Sequence, residues 1–198
     1  MNHKVITLSR EFGSGGRDIG KKIADELGYD FYDKELIEAA AQRSGIDPGI
    51  LEQNDEKLNT RFSPSFNSMN STIFSTSQLS LNDRTFLAEA EIIKEIANNK
   101  NAVIVGRCAN YILEDYKNCY NVFIHANLED RMERAHKAYG LPEKKLKEAI
   151  LTADKKRSSY YNYYSDKQWG KAQNYHVCLD SSCLGIDKCV EILLTMVK

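Results

Sequence analysis

A cluster of glycines, Gly13-Ser14-Gly15-Gly16, separates two segments of opposite periodicity. Before it, Lys4 to Ser9 (KVITLS) is a short β-branched run that reads as a buried strand. After it, Ile19, Ile23 and Leu27 recur every four residues, as on the buried stripe of a helix, and Gly28 stands where a C-terminal cap glycine belongs. A strand that enters a helix through such a turn presents the first free helical N–H groups, and the positive end of the helix dipole, at its carboxyl edge. Glycines let that backbone take positive φ and approach an anion closely. Residues Arg10, Gly13, Ser14, Gly15, Gly16, Arg17 and Asp18 are therefore expected to line a cradle for a triphosphate. The alternative is an ordinary glycine-rich turn.

The rest of the chain alternates in the same way. Tyr29 to Tyr32, Ala102 to Gly106 (AVIVG), Tyr120 to His125 and Tyr175 to Leu179 read as further strands. Helices are expected from Asp33 to near Gly45, from Asp47-Pro48, from about Asp83 to Asn98, and over 128–139, 143–164 and 186–197. Strands alternating with helices predict an α/β fold built on a parallel sheet. Its five-stranded parallel sheet would be flanked by helices and joined by right-handed crossovers. A chain of 198 residues suits a single domain over 1–198, with a small helical lid. Residues 59–82 stand apart: Ser, Thr and Asn make up 14 of these 24 positions, and Arg61 is the only charge. Such a stretch is long for a structureless loop, and Phe62, Phe66, Ile73 and Phe74 argue against simple disorder. It reads either as a mobile insert covering an acceptor or as a variable surface loop.

Composition excludes several function classes. With 27 basic and 28 acidic residues, the net charge of −1 gives no electrostatic footprint for nucleic acid. The five cysteines (108, 119, 178, 183 and 189) include no C-x-x-C pair, so a disulfide framework or zinc site is not expected. They read as small apolar residues in a reducing compartment. No apolar run approaches the ~20 residues needed to span a bilayer, and no leader-like stretch is present, which predicts a cytoplasmic protein without membrane association. A homo-oligomer is left open.

The glycine loop departs from the G-x-x-x-x-G-K-[ST] pattern. Without gaps, Arg10 takes the first glycine position, Gly16 the lysine and Arg17 the position after it. A one-residue shift puts Arg17 on the lysine and Asp18 on the hydroxyl residue, where its carboxylate would reach Mg²⁺. In either register the cation near the terminal phosphates is an arginine.

From Val5 to Asp33, VITLSREFGSGGRDIGKKIADELGYDFYD resembles the opening of the cytidylate kinase family, in the divergent group whose loop reads GSGGR. Val105-Gly106-Arg107 is similar to the family's glycine–arginine–aspartate motif, Asp154-Lys155-Lys156-Arg157 to its D-x-x-R lid motif, and Cys178-Leu179-Asp180-Ser181-Ser182 to its last strand and turn. The resemblance implies the three-layer α/β fold of the P-loop NTPase type, and ATP-dependent phosphoryl transfer with Mg²⁺ to a nucleoside monophosphate or other small acceptor. It implies that Asp33 and Arg107 bind the acceptor, and that a lid over 140–172 brings in Arg157, with Asp154 orienting it and Arg17 completing the catalytic set. Structural alternatives stand beside these roles: an N-cap for Asp33, a surface ion pair for Arg107, and a helical ion pair between Asp154 and Arg157. Arg131 and Arg134 read as solvated surface, and the cluster Tyr160, Tyr161, Tyr163, Tyr164 with Trp169 as packing rather than base stacking. The family pattern is broken at Cys108, where an aspartate is usual, at Ile150, where an arginine is usual, and at Lys34 and Glu35. A nucleotide-binding or regulatory module without efficient turnover is the competing reading.

Overall fold

Five strands form where the β-branched runs lie: β1 Val5–Arg10, β2 Asp30–Tyr32, β3 Ala102–Val105, β4 Cys119–His125 and β5 Val177–Asp180. The computed structural model describes residues 3–33, 35, 36, 39, 80–139 and 142–197. The helix expected from Asp47 and most of the 59–82 stretch lie outside them. All five strands pair in parallel, in the order β2-β3-β1-β4-β5. β1 is central: Leu8 lies opposite Val105 on one side and Val122 on the other. Ile6, Leu8, Val103 and Ile104 are wholly buried, so β1 and β3 read as continuous apolar runs rather than alternating ones.

Among the described residues, helices include α1 Gly16–Leu27, α2 Leu81–Asn99, α3 Ala109–Ile112, α4 Leu128–Tyr139, α5 Glu143–Ser165, α6 Ser181–Leu184 and α7 Ile186–Val197, with a 3₁₀ turn at Ala172–Asn174. One sheet face packs Ile6, Leu8 and Val122 against Ile19 and Ile23 of α1 and Val190 and Leu193 of α7. The other packs Val5, Ala102 and Ile104 against Ile92, Ile93 and Ile96 of α2 and Leu113 just beyond α3. Burying one such aliphatic side chain contributes about 1.5–3 kcal/mol. These two layers, not helix propensity, hold the molecule together.

Helix ends follow local chemistry. Gly28 closes α1 in the left-handed region at φ 65, its N–H bonded to the carbonyls of Ala24 and Asp25. The Ser80 side chain accepts from Asp83 N–H to start α2. The short α3 and α6 have too few residues to show a period and were not expected. α6 is nucleated by Asp180, whose carboxylate accepts from the N–H groups of Ser182 and Cys183. Among the described residues, no helix is long and apolar enough to cross a membrane.

Candidate active site

The loop between β1 and α1 is held by its carbonyls. Arg131 Nε donates to Phe12 O at 2.7 Å, Arg134 Nη1 to Gly13 O at 3.1 Å, Ser181 Oγ to Ser14 O at 2.6 Å and Arg157 Nη1 to Arg10 O at 3.2 Å. Glu11 O accepts from both the N–H and the hydroxyl of Ser14. The carbonyls of Phe12, Gly13 and Ser14 are thus held by α4 and by the first residue of α6. Among the described residues, the N–H groups of Gly13, Gly15 and Gly16 have no hydrogen-bond acceptor. Gly13 and Gly15 lie at φ 78 and 76, which favours glycine over any L side chain. This is the local geometry of an anion cradle at a helix N-terminus.

Arg131, expected on the surface, is buried at the back of this loop. Its Nη1 lies 3.2 Å from Glu11 Oε2 and its Nη2 bonds Asp154. Glu11 also accepts from Ala126 N–H, and Asp154 accepts from Phe12 N–H at 2.7 Å. The expected Asp154–Arg157 pair is thereby replaced: Asp154 faces α4 and serves Arg131 and the loop. Arg157, three residues on, lies with its guanidinium 5.6 Å from the centre of the Phe12 ring. Arg134 is likewise half-buried, bonded to Gly13 and Ser181. A small apolar cluster of Leu146, Ile150, Ala135, Leu128 and Met132 packs on Phe12. Ile150, in place of the family's arginine, is part of that cluster and has no exposed surface.

On the other side of the loop, at the carboxyl ends of β1 and β3, lies a cavity of about 90 Å³. Arg10, Asp33, Arg107, Arg157, Tyr160 and Trp169 are among its lining residues. β1 is the strand at which this sheet's order reverses, and ligands of open α/β sheets bind outside the carboxyl ends of strands at such a point. Gly106, Arg107 and Cys108 are three successive left-handed residues, at φ 83, 56 and 56. For the two non-glycine residues this conformation is unfavourable by roughly 1–2 kcal/mol each. The turn throws the Arg107 side chain back against α2, where its Nε lies 3.5 Å from Glu89 Oε1. Glu89 is 1% exposed and also accepts from Tyr160 O–H at 2.9 Å. Burial, and then the neighbouring Glu89 charge, push the Tyr160 hydroxyl well above its ordinary pKa, so it stays a donor. Burial likewise raises the Cys108 thiol, which remains neutral where the family's aspartate would be charged.

The sequence-expected residues therefore divide. Arg10, Asp33, Arg107 and Arg157 come together around the cavity. Arg17 does not line it: its side chain is 59% exposed, with Nε 2.8 Å from Asp33 Oδ2. Asp18 is exposed in the first turn of α1. Among the described residues, no three His, Cys, Asp or Glu side chains group to hold a metal ion. Magnesium is commonly held by one or two carboxylates together with substrate phosphates, an arrangement that needs no all-protein cluster. Sequence reading missed Glu11, Glu89, Arg134 and Ser181. Glu89 could have been found as a carboxylate on the apolar stripe of Phe86, Ile92, Ile93 and Ile96, which requires a buried partner. Tyr160, Tyr161 and Tyr164 pack with Phe86 and Cys108, as the packing reading holds; Phe86 and Tyr164 stack at 4.0 Å.

A family model for the cytidylate kinase-like family matches residues 5–183. No curated protein matches the sequence. Among solved structures, an uncharacterized protein from Eubacterium ventriosum ATCC 27560 superposes with a TM-score of 0.75 at 24% identity, covering 98% of both chains. Shikimate kinase from Bacteroides thetaiotaomicron does so at 0.57 and 16% identity, again over 98% of both. A gluconokinase from Sinorhizobium meliloti 1021 does so at 0.51 and 16% identity, over 99% of this chain and 91% of that one. These likenesses show the fold, a five-stranded parallel sheet of the P-loop kinase type flanked by helices.

Proposed function

Because the chain belongs to the cytidylate kinase-like family, we propose that it transfers the terminal phosphoryl group of ATP to a small acceptor, a nucleoside monophosphate or a molecule of comparable size. The observation that carries this reading is the loop of Gly13 to Gly16 at the N-terminus of α1, where the N–H groups of Gly13, Gly15 and Gly16 have no acceptor among the described residues, together with a cavity at the end of the same strand that Arg10, Arg107 and Arg157 line. Phosphoryl transfer needs positioning and neutralisation of charge far more than covalent help from the protein, and this site offers both. The loop N–H groups would hold the phosphate chain. Arg107, tethered by Glu89, and Asp33 would hold the acceptor. Arg157 would meet charge that develops on the transferred group, with the 140–172 segment covering the site. Magnesium, when bound with ATP, supplies charge neutralisation between phosphates, and Asp18 is its protein contact on this reading. The GSGGR loop we read as the mark of a divergent group within the family, and a cytoplasmic setting suits the reduced, unpaired cysteines.

Gly16, at the lysine position, is the observation that favours the second reading, a nucleotide-binding module without efficient turnover. One pair of measurements tests both. A thermal-shift panel of nucleotides with and without Mg²⁺ is expected to raise Tm for ATP, since a ligand of the native state stabilises it. A coupled assay for ADP release across monophosphates and small hydroxy acids is then expected to show turnover. Because Cys108 and Ile150 break the cytidylate pattern, no strong preference for CMP is expected; a site built to hydrogen-bond one base rejects others by ~10⁴-fold or more. A Tm shift without ADP release with any acceptor establishes the binding module instead.

A further inference from the structure

The loop's two departures from G-x-x-x-x-G-K-[ST] touch each other. In the gapless register, Arg10 stands for the first glycine and Gly16 for the lysine. Gly16 is the first residue of α1, and its φ is not positive, so backbone conformation does not require glycine there. What requires it is Arg10: a Cβ on Gly16 would lie 2.6 Å from Arg10 Cβ and 3.1 Å from its Cγ. These are the first atoms of the side chain, and they cannot swing aside as the end of a flexible chain can. The next nearest atom, Leu8 Cδ2 at 3.2 Å, has room to yield by a few tenths of an ångström. Side chains at 10 and 16 therefore exclude one another, and the foot of the loop admits a single stem.

The stem present here leads into the cavity. Arg10 Nη1 lies against the bare α-carbon of Gly106, 2.3 Å from where a Cβ would stand, and its Nη2 lies 3.8 Å from Asp33 Oδ1. Its carbonyl is held by Arg157. The Arg10 side chain is 17% exposed and lines the cavity, in contrast to the exposed Arg17.

We propose that Arg10 is the loop's phosphate-holding cation, reached by an exchange in which the charge moves from the first turn of the helix to the last residue of the strand, with Gly16 and Gly106 as the two vacated positions that make room for it. The inference rests on the reading of this chain as a nucleotide-binding protein and assigns the ligand class of Arg10 as the terminal phosphates of a nucleoside triphosphate. A planar guanidinium there binds phosphate oxygens in pairs, which a lysine at 16 does not.

The test is a cycle of variants read by calorimetric ATP affinity in the presence of Mg²⁺ and by Tm. Arg10→Gly is expected to weaken ATP binding roughly tenfold or more, the usual scale for losing a charge-assisted hydrogen bond. Arg10→Lys is expected to keep part of that affinity and Arg10→Gln none of it. Gly16→Lys alone is expected to lower Tm sharply. In the double variant Arg10→Gly/Gly16→Lys the same lysine is tolerated, and both Tm and ATP affinity recover towards wild type. Unchanged ATP affinity in Arg10→Gly overturns the inference, and so does a lysine at 16 that is as damaging in the double variant as alone. A wild-type protein that binds no nucleotide overturns the proposed function itself, and this assignment with it.

Discussion

On the outer side of the β1–α1 loop, the cations of α4 are spent on the protein itself. Arg131 has Glu11, Asp154 and the Phe12 carbonyl, and Arg134 has the loop and Ser181. On the inner side, Arg10, Arg107 and Arg157 meet across a cavity that carries the carboxylate of Asp33, with Glu89 behind it. The outer arrangement holds backbone in place; the inner one concentrates positive charge at the carboxyl ends of β1 and β3. A preorganised donor set costs no reorganisation when charge develops against it. On the proposed function, the outer clamp would keep the loop fixed while the inner face meets the phosphates. An arginine's role here follows from which side of the loop it reaches, not from which helix it stands on.

Four substitutions sharpen or break that contrast. The largest effect is expected from Arg157→Ala, which on the proposed function lowers kcat by roughly 10³ or more while raising the KM for ATP far less. If a folded Arg157→Ala protein turns over normally, Arg157 belongs to the outer set, through its bond to the Arg10 carbonyl. Arg131→Met should act in the opposite way. It leaves Asp154 and Glu11 without their buried partner, a loss of about 3–5 kcal/mol, or roughly 6–20 °C in Tm for a chain of this size. A Tm within a degree or two of wild type would show that the clamp does not hold the loop. Glu89→Gln keeps shape and removes charge behind Arg107. It should raise the KM of the acceptor roughly tenfold, in line with a charged hydrogen bond, with kcat nearly intact. A fall in kcat with unchanged KM would place Arg107 on the transferred group instead.

The smallest effect is expected far from the loop, at the edge strand. Asp30 is held below its ordinary pKa, first by its bond to Lys100 and then by Tyr32. A carboxylate with a lowered folded pKa stabilises above its unfolded value and loses that contribution as pH falls through the folded one. Asp30→Asn should therefore flatten the acid end of the stability profile, below about pH 4. Near neutrality it should change Tm little, because exposed pairs contribute little. Denaturant midpoints at pH 3 and pH 7 measure both.

Much of the fold was legible because periodicity reports burial. KVITLS and AVIVG are strands buried on both faces, and Ile19, Ile23 and Leu27 turn one face of α1 to the sheet. Strand ends differ from expectation by one or two residues, since the carboxyl ends of β1 and β5 carry polar Arg10 and Asp180 that hydropathy does not extend to. The glycine loop and the arginines Arg10, Arg107 and Arg157 could be picked out by residue type and position. The pairing of Asp154 could not. Helical spacing places Arg157 within its reach, yet Arg131 comes to it from another helix, 23 residues away in sequence. Local spacing gives short-range partners, and the packing of α4 on α5 decides otherwise. Arg131 itself reads as surface because it lies off the Leu128–Met132 stripe, and only the loop lying across α4 buries it.

The contacts that shape the loop have a further consequence for how the chain acquires it. Ser14 is latched by Ser181, 167 residues later, Arg10 by Arg157, 147 residues later, and Phe12 by Arg131, 119 residues later. β1 itself waits for both β3 and β4 before it has neighbours on its two edges. Contacts of such long range form late, and synthesis delivers the N-terminal end first. A ribosome that has emitted the glycine-rich segment therefore holds a loop with the right residues and none of the outside hands that hold its carbonyls. The segment gains its full set of carbonyl contacts only once Ser181 has been made.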